Sequence, residues 1–352
     1  MIPPGPEPSL PRTTGEPPAD TNTASATRQL SALLHSLWIL PTVTTAFELG
    51  LFDLLASGLN SAEALAAPTK AHTPSLHRLL RALAALGLCD DHGDGSFTLT
   101  PVGSLLETHA HSSMRALSTW IIQHQMPAWA HLLTSVRTGK TSLGNGTANF
   151  GLESFHLALV DATRQVASAA VRAYDFSRFR RLVDVGGGYG ELLAAVLQTC
   201  PDATGVLFDL PAVMDGARHH LQTFGLAHRC EFIAGDFFTS VPPDGDAYLL
   251  KTVIHDWDDA GAIAILRCCR AAMPRHAKLL ILEHVMPDRI ERSVVHQDVV
   301  RRDLNMLVMM GGRERTESEY QTLLRAAQLA PTTTTPANVP NFNFSIMEAI
   351  PC

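Results

Sequence analysis

The segment Val183-Asp-Val-Gly-Gly-Gly-Tyr-Gly190 narrows the choice of folds more than any other stretch of the chain. A short apolar strand runs into the glycines, and a helix over 191–197 leaves them. Glycine at such a junction lets the backbone turn sharply and lets a ligand approach it closely. The same grammar continues downstream. Strands are predicted at 205–208, 230–233, 247–250 and 278–283, with helices over 213–224, 260–272 and 318–327 and a closing strand over 342–350. Strands separated by helices predict an α/β, Rossmann-like domain over 176–352 with a mostly parallel sheet. Ligands of such sheets bind at the carboxyl ends of the strands.

The first half of the chain has a different texture. Residues 1–26 hold seven of the 22 prolines and have little to bury, so a disordered tail is expected there. Over 27–110 apolar residues recur at helical spacing, as in Leu30, Leu33, Leu34, Leu37 and Trp38. Asn60-Ser-Ala-Glu63 has the pattern of a capping box, a helix follows Pro74, residues 90–95 form a polar turn, and 97–100 reads as a strand. Helix, turn, helix and hairpin in that order describe a winged helix after an all-helical stretch. Between residues 27 and 110, four Lys and Arg stand against seven Asp and Glu, whereas a reader of the DNA backbone needs a basic face. A packing or dimerisation module, and a homodimer built on it, is therefore expected. Residues 111–175, with Trp120, Met126, Trp129 and Leu132, read as a helical linker that also walls a substrate pocket.

Composition excludes other classes. With 46% apolar and 17% charged residues the chain can fold, and its formal charge of −7 opposes a nucleic-acid or anionic-membrane surface. Six irregularly spaced cysteines with no C-x-x-C pair suggest reduced thiols and no metal site. No apolar run of ~18 residues suggests a membrane span, and the N-terminus lacks the regions of a signal peptide, so a cytoplasmic location is expected.

Several residues at strand ends can carry chemistry. A dinucleotide fingerprint counted from Gly186 would need a small residue at position 191, where the chain has Glu191, so the loop suits a nucleoside without phosphates. Asp209 closes the second strand, at the spacing expected of a ribose-binding acid. Asp236 and Phe237 follow the third strand, where a carboxylate and a ring suit an adenine. Lys251 and His255 lie at the end of the fourth, Glu283 ends the fifth, and Glu314 sits in Gly311-Gly-Arg-Glu-Arg-Thr316.

The ordered set VDVGGGYG, FDLPAV, GDFF, LKTVIHDWDD, ILEHV, DLNML and GGRERT strongly resembles the S-adenosylmethionine-dependent small-molecule O-methyltransferases, which include plant caffeic-acid-type and bacterial antibiotic-tailoring enzymes. The resemblance covers about residues 28–351, including the dimerisation domain. It implies that Gly186, Gly187 and Gly188 approach the cofactor, that Asp209 holds the ribose, and that Asp236 with Phe237 holds the adenine. Lys251 would lie near the cofactor and His255 would be the general base, flanked by Glu283 and Glu314. Met306, Asp256 and Trp129 would line the substrate pocket. The nearest match to the family's F-x-x-A-M segment is Phe155-His-Leu-Ala-Leu159, with leucine for methionine. The implied reaction is methyl transfer to an aromatic hydroxyl of a secondary metabolite, without a metal. The alternatives are a relative that binds the cofactor but modifies its aromatic substrate otherwise, and a winged-helix DNA-binding regulator.

Overall fold

The computed structural model describes residues 21–110, 112–141 and 151–352. The chain divides into two compact units, Met1–Ser104 and Leu105–Cys352.

In the first unit, helices Thr21–His35, Ile39–Glu48, Leu51–Ala56, Ala62–Thr69 and Thr73–Ala85 precede an antiparallel hairpin of β1 (Cys89–Asp91) and β2 (Phe97–Leu99). Phe52, Leu65, Leu76, Leu80, Leu83 and Phe97 pack its core. This is the expected winged helix, with three corrections. Residues 21–26, expected in the disordered tail, belong to the first helix, while residues 1–20 lie outside the described residues. The cap of Ala62–Thr69 is Ser61, whose side chain accepts from the Ala64 N–H at 3.2 Å; the hairpin instead takes the Asn60 carbonyl, which accepts from Phe97 N–H at 2.7 Å. Ser25–Glu48 is, at 24 residues and mean hydropathy 1.4, long and apolar enough to cross a membrane, contrary to the expectation that no stretch is. Leu30, Leu33, Leu34 and Leu37 are all more than half exposed, and their spacing makes one stripe along this segment.

The second unit is built on a seven-stranded sheet. In chain order its strands are β3 (Arg181–Val185), β4 (Thr204–Asp209), β5 (Cys230–Ala234), β6 (Ala247–Lys251), β7 (Lys278–His284), β8 (Leu329–Pro336) and β9 (Phe344–Pro351). Their spatial order is β5-β4-β3-β6-β7-β9-β8. The first five are parallel, and β9 pairs antiparallel with both β7 and β8. The chain moves outward from β3 to β5 and then returns to β6 on the other side of β3. That reversal opens a crevice at the carboxyl ends of β3 and β6. Leu182, Val183, Leu249, Leu250 and Leu279 to Leu282 are fully buried, as a sheet covered on both faces requires. The edge strand β8, rich in threonine and containing two prolines, is not predicted from the sequence; an edge tolerates proline because one side of its backbone needs no partner.

Residues 105–175 belong to this unit rather than forming a separate linker. Helix Leu152–Ala173 carries Asp161, whose carboxylate accepts from Leu117 N–H at 3.0 Å, and Phe155, whose ring lies 5.0 Å from that of Trp120. These contacts place a helical wall over the crevice.

Candidate active site

A cavity of about 450 Å³ lies at the carboxyl ends of the parallel strands, closed by helices Leu152–Ala173 and Val294–Met309. At one end is the glycine loop. Gly186 and Gly188 have φ of 68° and 57°, conformations that a side chain disfavours. A Cβ at Gly186 would lie 3.0 Å from Val253 and 3.4 Å from the Phe237 ring, so the glycine keeps this end open. The Asp209 carboxylate faces the loop. It accepts from Gly188 N–H at 2.8 Å and from Leu210 N–H at 2.7 Å. Burial pushes its pKa up, and these two bonds work against that rise. Asp236 and Phe237 line the same end, with the Phe237 and Phe238 rings 5.2 Å apart.

Gly187 and Lys251 open instead on a smaller recess behind the loop. Lys251 Nζ donates to Thr163 Oγ1 at 2.8 Å, and burial pushes its pKa down. Two neighbours there escape sequence reasoning. Asp184 is buried with one carboxylate oxygen unpartnered among the described residues, and burial pushes its pKa up to about 7. Burial pushes the His156 pKa down, and its ring stacks on that of Tyr189 at 5.0 Å. Asp184 is hidden because a strand residue is read as core; His156 lies in the one family segment that the chain matches imperfectly.

His255 stands where the fourth parallel strand gives way to a short turn. Its Nδ1 lies 3.0 Å from Glu314 Oε1, and 3.6 Å from Glu283 Oε2. A carboxylate can only accept, so Nδ1 is the donor. Nε2 is left to the cavity and to Asp256 Oδ1, 3.5 Å away. Burial disfavours the imidazolium, but Glu283, Glu314 and Asp256 outweigh it and raise the pKa to about 10. Glu283 also builds the turn: its Oε1 accepts the N–H groups of Val253, Ile254 and His255 at 3.1, 3.1 and 3.3 Å. The fully buried Arg315 donates to the carbonyls of Ile254 and Trp257 at 3.1 and 2.7 Å. Glu283 and Glu314 thus support His255 from behind and do not line the cavity. Ligand atoms of His255, Glu283 and Glu314 lie within 4.8 Å of one another, a spacing that a metal ion could also use; the Nδ1–Glu314 hydrogen bond accounts for the closeness.

At the far end of the cavity, Met306, Met309, Met310, Trp120 and Phe155 form an apolar wall, and Asp256 lies beside His255. Trp129 does not line it. Its indole donates to Asn305 Oδ1 at 3.1 Å, and it packs on the buried cluster that contains Trp120 and Met309, so Trp120 supplies the aromatic wall instead. Asn305 and Arg302 are lining residues that sequence reasoning misses, although both share the helix face of Met306.

The family described as the O-methyltransferase domain matches residues 139–329, more than half of the chain, and the O-methyltransferase dimerisation domain matches residues 31–109. The chain is 41% identical to the phenazine O-methyltransferase PhzM of Lysobacter antibioticus, over 88% of this chain and 94% of that one. It is 40% identical to the O-demethylpuromycin-O-methyltransferase of Streptomyces alboniger, over 87% and 84%. One relative, 36% identical over 80% of this chain and 83% of its own, is the 8-amino-8-demethylriboflavin N,N-dimethyltransferase of Streptomyces davaonensis. The solved structure of NcsB1, an O-methyltransferase from neocarzinostatin biosynthesis in complex with S-adenosylmethionine and 2-hydroxy-5-methyl naphthoic acid, is similar with a TM-score of 0.73, 29% identity, and coverage of 89% and 96%.

Proposed function

The chain belongs to the S-adenosylmethionine-dependent O-methyltransferases, and from that premise we propose that it methylates a phenolic hydroxyl of a small aromatic metabolite, with His255 as general base. One observation carries the proposal. His255 Nδ1 is tied to Glu314, while Nε2 is turned to a cavity that has an apolar wall on one side and the glycine loop on the other.

The residues present suit the cofactor. Gly186 and Gly188 form a cradle that side chains would fill, and each Asp209 oxygen keeps a lone pair beyond its one backbone bond. Asp209 would accept from the ribose hydroxyls. Asp236 would accept from the adenine amino group, with Phe237 against the base. Lys251 and Gly187 would meet the amino-acid end from the recess. When bound, the cofactor supplies an electrophilic sulfonium methyl.

What remains for the protein is to hold the acceptor oxygen in line and to take its proton. A phenol has a pKa of about 10 and an ordinary histidine about 6.5, so transfer to an ordinary imidazole would be uphill. Raising His255 to about 10 brings donor and acceptor into balance. Glu314 fixes the tautomer and stabilises the imidazolium. Met306 and Trp120 hold the ring, and Asp256 borders the reacting end.

The proposal extends to the assembly. The exposed stripe of Leu30, Leu33, Leu34 and Leu37, of which the last three lie in the segment matched by the dimerisation family, would be covered in a homodimer of a cytoplasmic enzyme. The decisive assay incubates the protein with S-adenosylmethionine and a panel of phenols, and follows products by mass spectrometry. An O-methylated phenol with equimolar S-adenosylhomocysteine is expected. An N-methylated product alone, or a changed acceptor without methyl gain, would overturn the proposal.

A further inference from the structure

Arg302 brings a permanent positive charge into a largely apolar cavity whose lining also holds three aspartates and His255, and we propose that it pairs with a carboxylate on the acceptor, so that the preferred substrates are hydroxyaromatic acids. The inference rests on the methyl-transfer reading for the reaction, though not for the binding.

Helix Val294–Met309 presents Arg302, Asn305, Met306 and Met309 to the cavity at i, i+3, i+4 and i+7, which is one face. Two contacts fix the guanidinium. Its Nε donates to Asp298 Oδ2 at 2.7 Å, one turn earlier, and its central carbon sits 5.1 Å from the centroid of the Phe342 ring. The Nη groups have no partner among the described residues, and 27% of the side chain is accessible. A guanidinium held by its Nε and its face offers the remaining N–H fork, which matches a carboxylate. Asn305, one turn on, gives its Oδ1 to the Trp129 indole, leaving its amide NH₂ as a second donor on the same face.

The other charges in the lining direct an acidic substituent to this place. Asp209 and Asp236 stand at the glycine-loop end, and Asp256 stands beside His255. A ring carboxylate would be repelled by each of them, while the other cation of the lining, the His255 imidazolium, is already paired with the buried carboxylates of Glu283 and Glu314. Arg302 is the one Lys or Arg among the described lining residues, and Met306, Met309, Trp120 and Phe155 take the faces of the ring.

The test measures binding on the full chain saturated with S-adenosylhomocysteine, by calorimetry. The probes are 1-hydroxy-2-naphthoic, 3-hydroxy-2-naphthoic and 6-hydroxy-2-naphthoic acids, each against its methyl ester. In the wild type at least one acid should bind about 10- to 100-fold more tightly than its ester, the range of a charge-assisted contact. Arg302→Met should bring that ratio to within about twofold while leaving the ester's affinity unchanged, which also reports that the cavity is intact. Arg302→Lys should recover part of the preference. Acids that bind no better than their esters, no binding by either member of any pair, or a preference that survives Arg302→Met would overturn the inference. Methyl transfer to the same pairs is a separate readout. Acids held in an Arg302-dependent way but never methylated would sink the proposed reaction and leave this inference standing.

Discussion

Gly312 lies against the backbone of His255: a Cβ at position 312 would come within 1.9 Å of the His255 carbonyl oxygen. The next residue, Arg313, donates its N–H to the same oxygen at 2.8 Å, and Glu314 then reaches the ring. The loop therefore grips both the main chain and the imidazole of His255. Gly312→Ala must push the two segments apart. Because a misplacement of ~1 Å can cost ~10²-fold in rate, kcat should fall by about that factor. Affinity for S-adenosylmethionine, which we place at the glycine-loop end of the cavity, should stay within about twofold. A variant with normal kcat would show that the grip is dispensable.

Asp209 has a double task, since its two oxygens hold the Gly188 and Leu210 N–H groups and would also meet the ribose. Asp209→Ala should weaken cofactor binding by about 1.5–3 kcal/mol for each charge-assisted bond lost. Calorimetry with S-adenosylmethionine measures this directly, and unchanged affinity would remove Asp209 from the site.

Three buried carboxyls set a pH dependence of stability. Burial pushes Asp184 and Glu283 up to about 7 and Asp256 up to about 6, from ordinary values of 3.8, 4.5 and 3.8. The folded protein thus binds more protons than the unfolded chain between about pH 4 and pH 7. Their contribution favours folding at and below the unfolded values and is lost as pH rises through 6–7. Asp184→Asn, which stays neutral, should flatten the fall in Tm between pH 5 and pH 8 in protein without added cofactor. Parallel wild-type and variant curves by calorimetric scanning would contradict this.

How far these features can be read in advance depends on how local their causes are. The glycine loop, Asp209 and His255 are legible because strand-end position and neighbouring residues reveal them together. Glu283 is legible as a strand-end acid, but not as the acceptor of three N–H groups, because those come from a turn about thirty residues away. Trp129 and Trp120 look alike in sequence. Only the packing of the helices turns one toward Asn305 and the other toward the cavity. Ser61 wins the cap over Asn60 because the hairpin claims the Asn60 carbonyl, a tertiary contact that a four-residue pattern does not contain.

The exposed leucine stripe predicts the assembly. Leu33 and Leu37 are 67% and 75% exposed. Replacing both with glutamate leaves the packed core of that unit untouched and places charge on the stripe. Light scattering at micromolar concentration should give a dimer for the wild type and a monomer for Leu33→Glu/Leu37→Glu. A wild-type monomer would end the homodimer reading.

His255 separates two ways in which this fold could accelerate methyl transfer. If the imidazole takes the proton, His255→Ala should lower kcat by about 10²–10⁴-fold and leave cofactor affinity intact. The surrounding carboxylates sharpen the test. They raise His255 to about 10, so near pH 7 most of the imidazole already holds a proton. For weakly acidic phenols kcat/KM in the wild type should therefore climb with pH, about tenfold per unit from pH 7 to pH 9. Acceptors whose hydroxyl ionises near pH 7 arrive as phenolates and need no base. For them the pH profile should be flat and the loss in His255→Ala small. If orientation alone mattered, both classes of acceptor would lose the same factor in the variant, and the rise with pH for weakly acidic phenols, which then follows ionisation of the phenol itself, would persist in His255→Ala. A parallel loss across a series of substituted phenols would count against proton abstraction, however large the fall in rate.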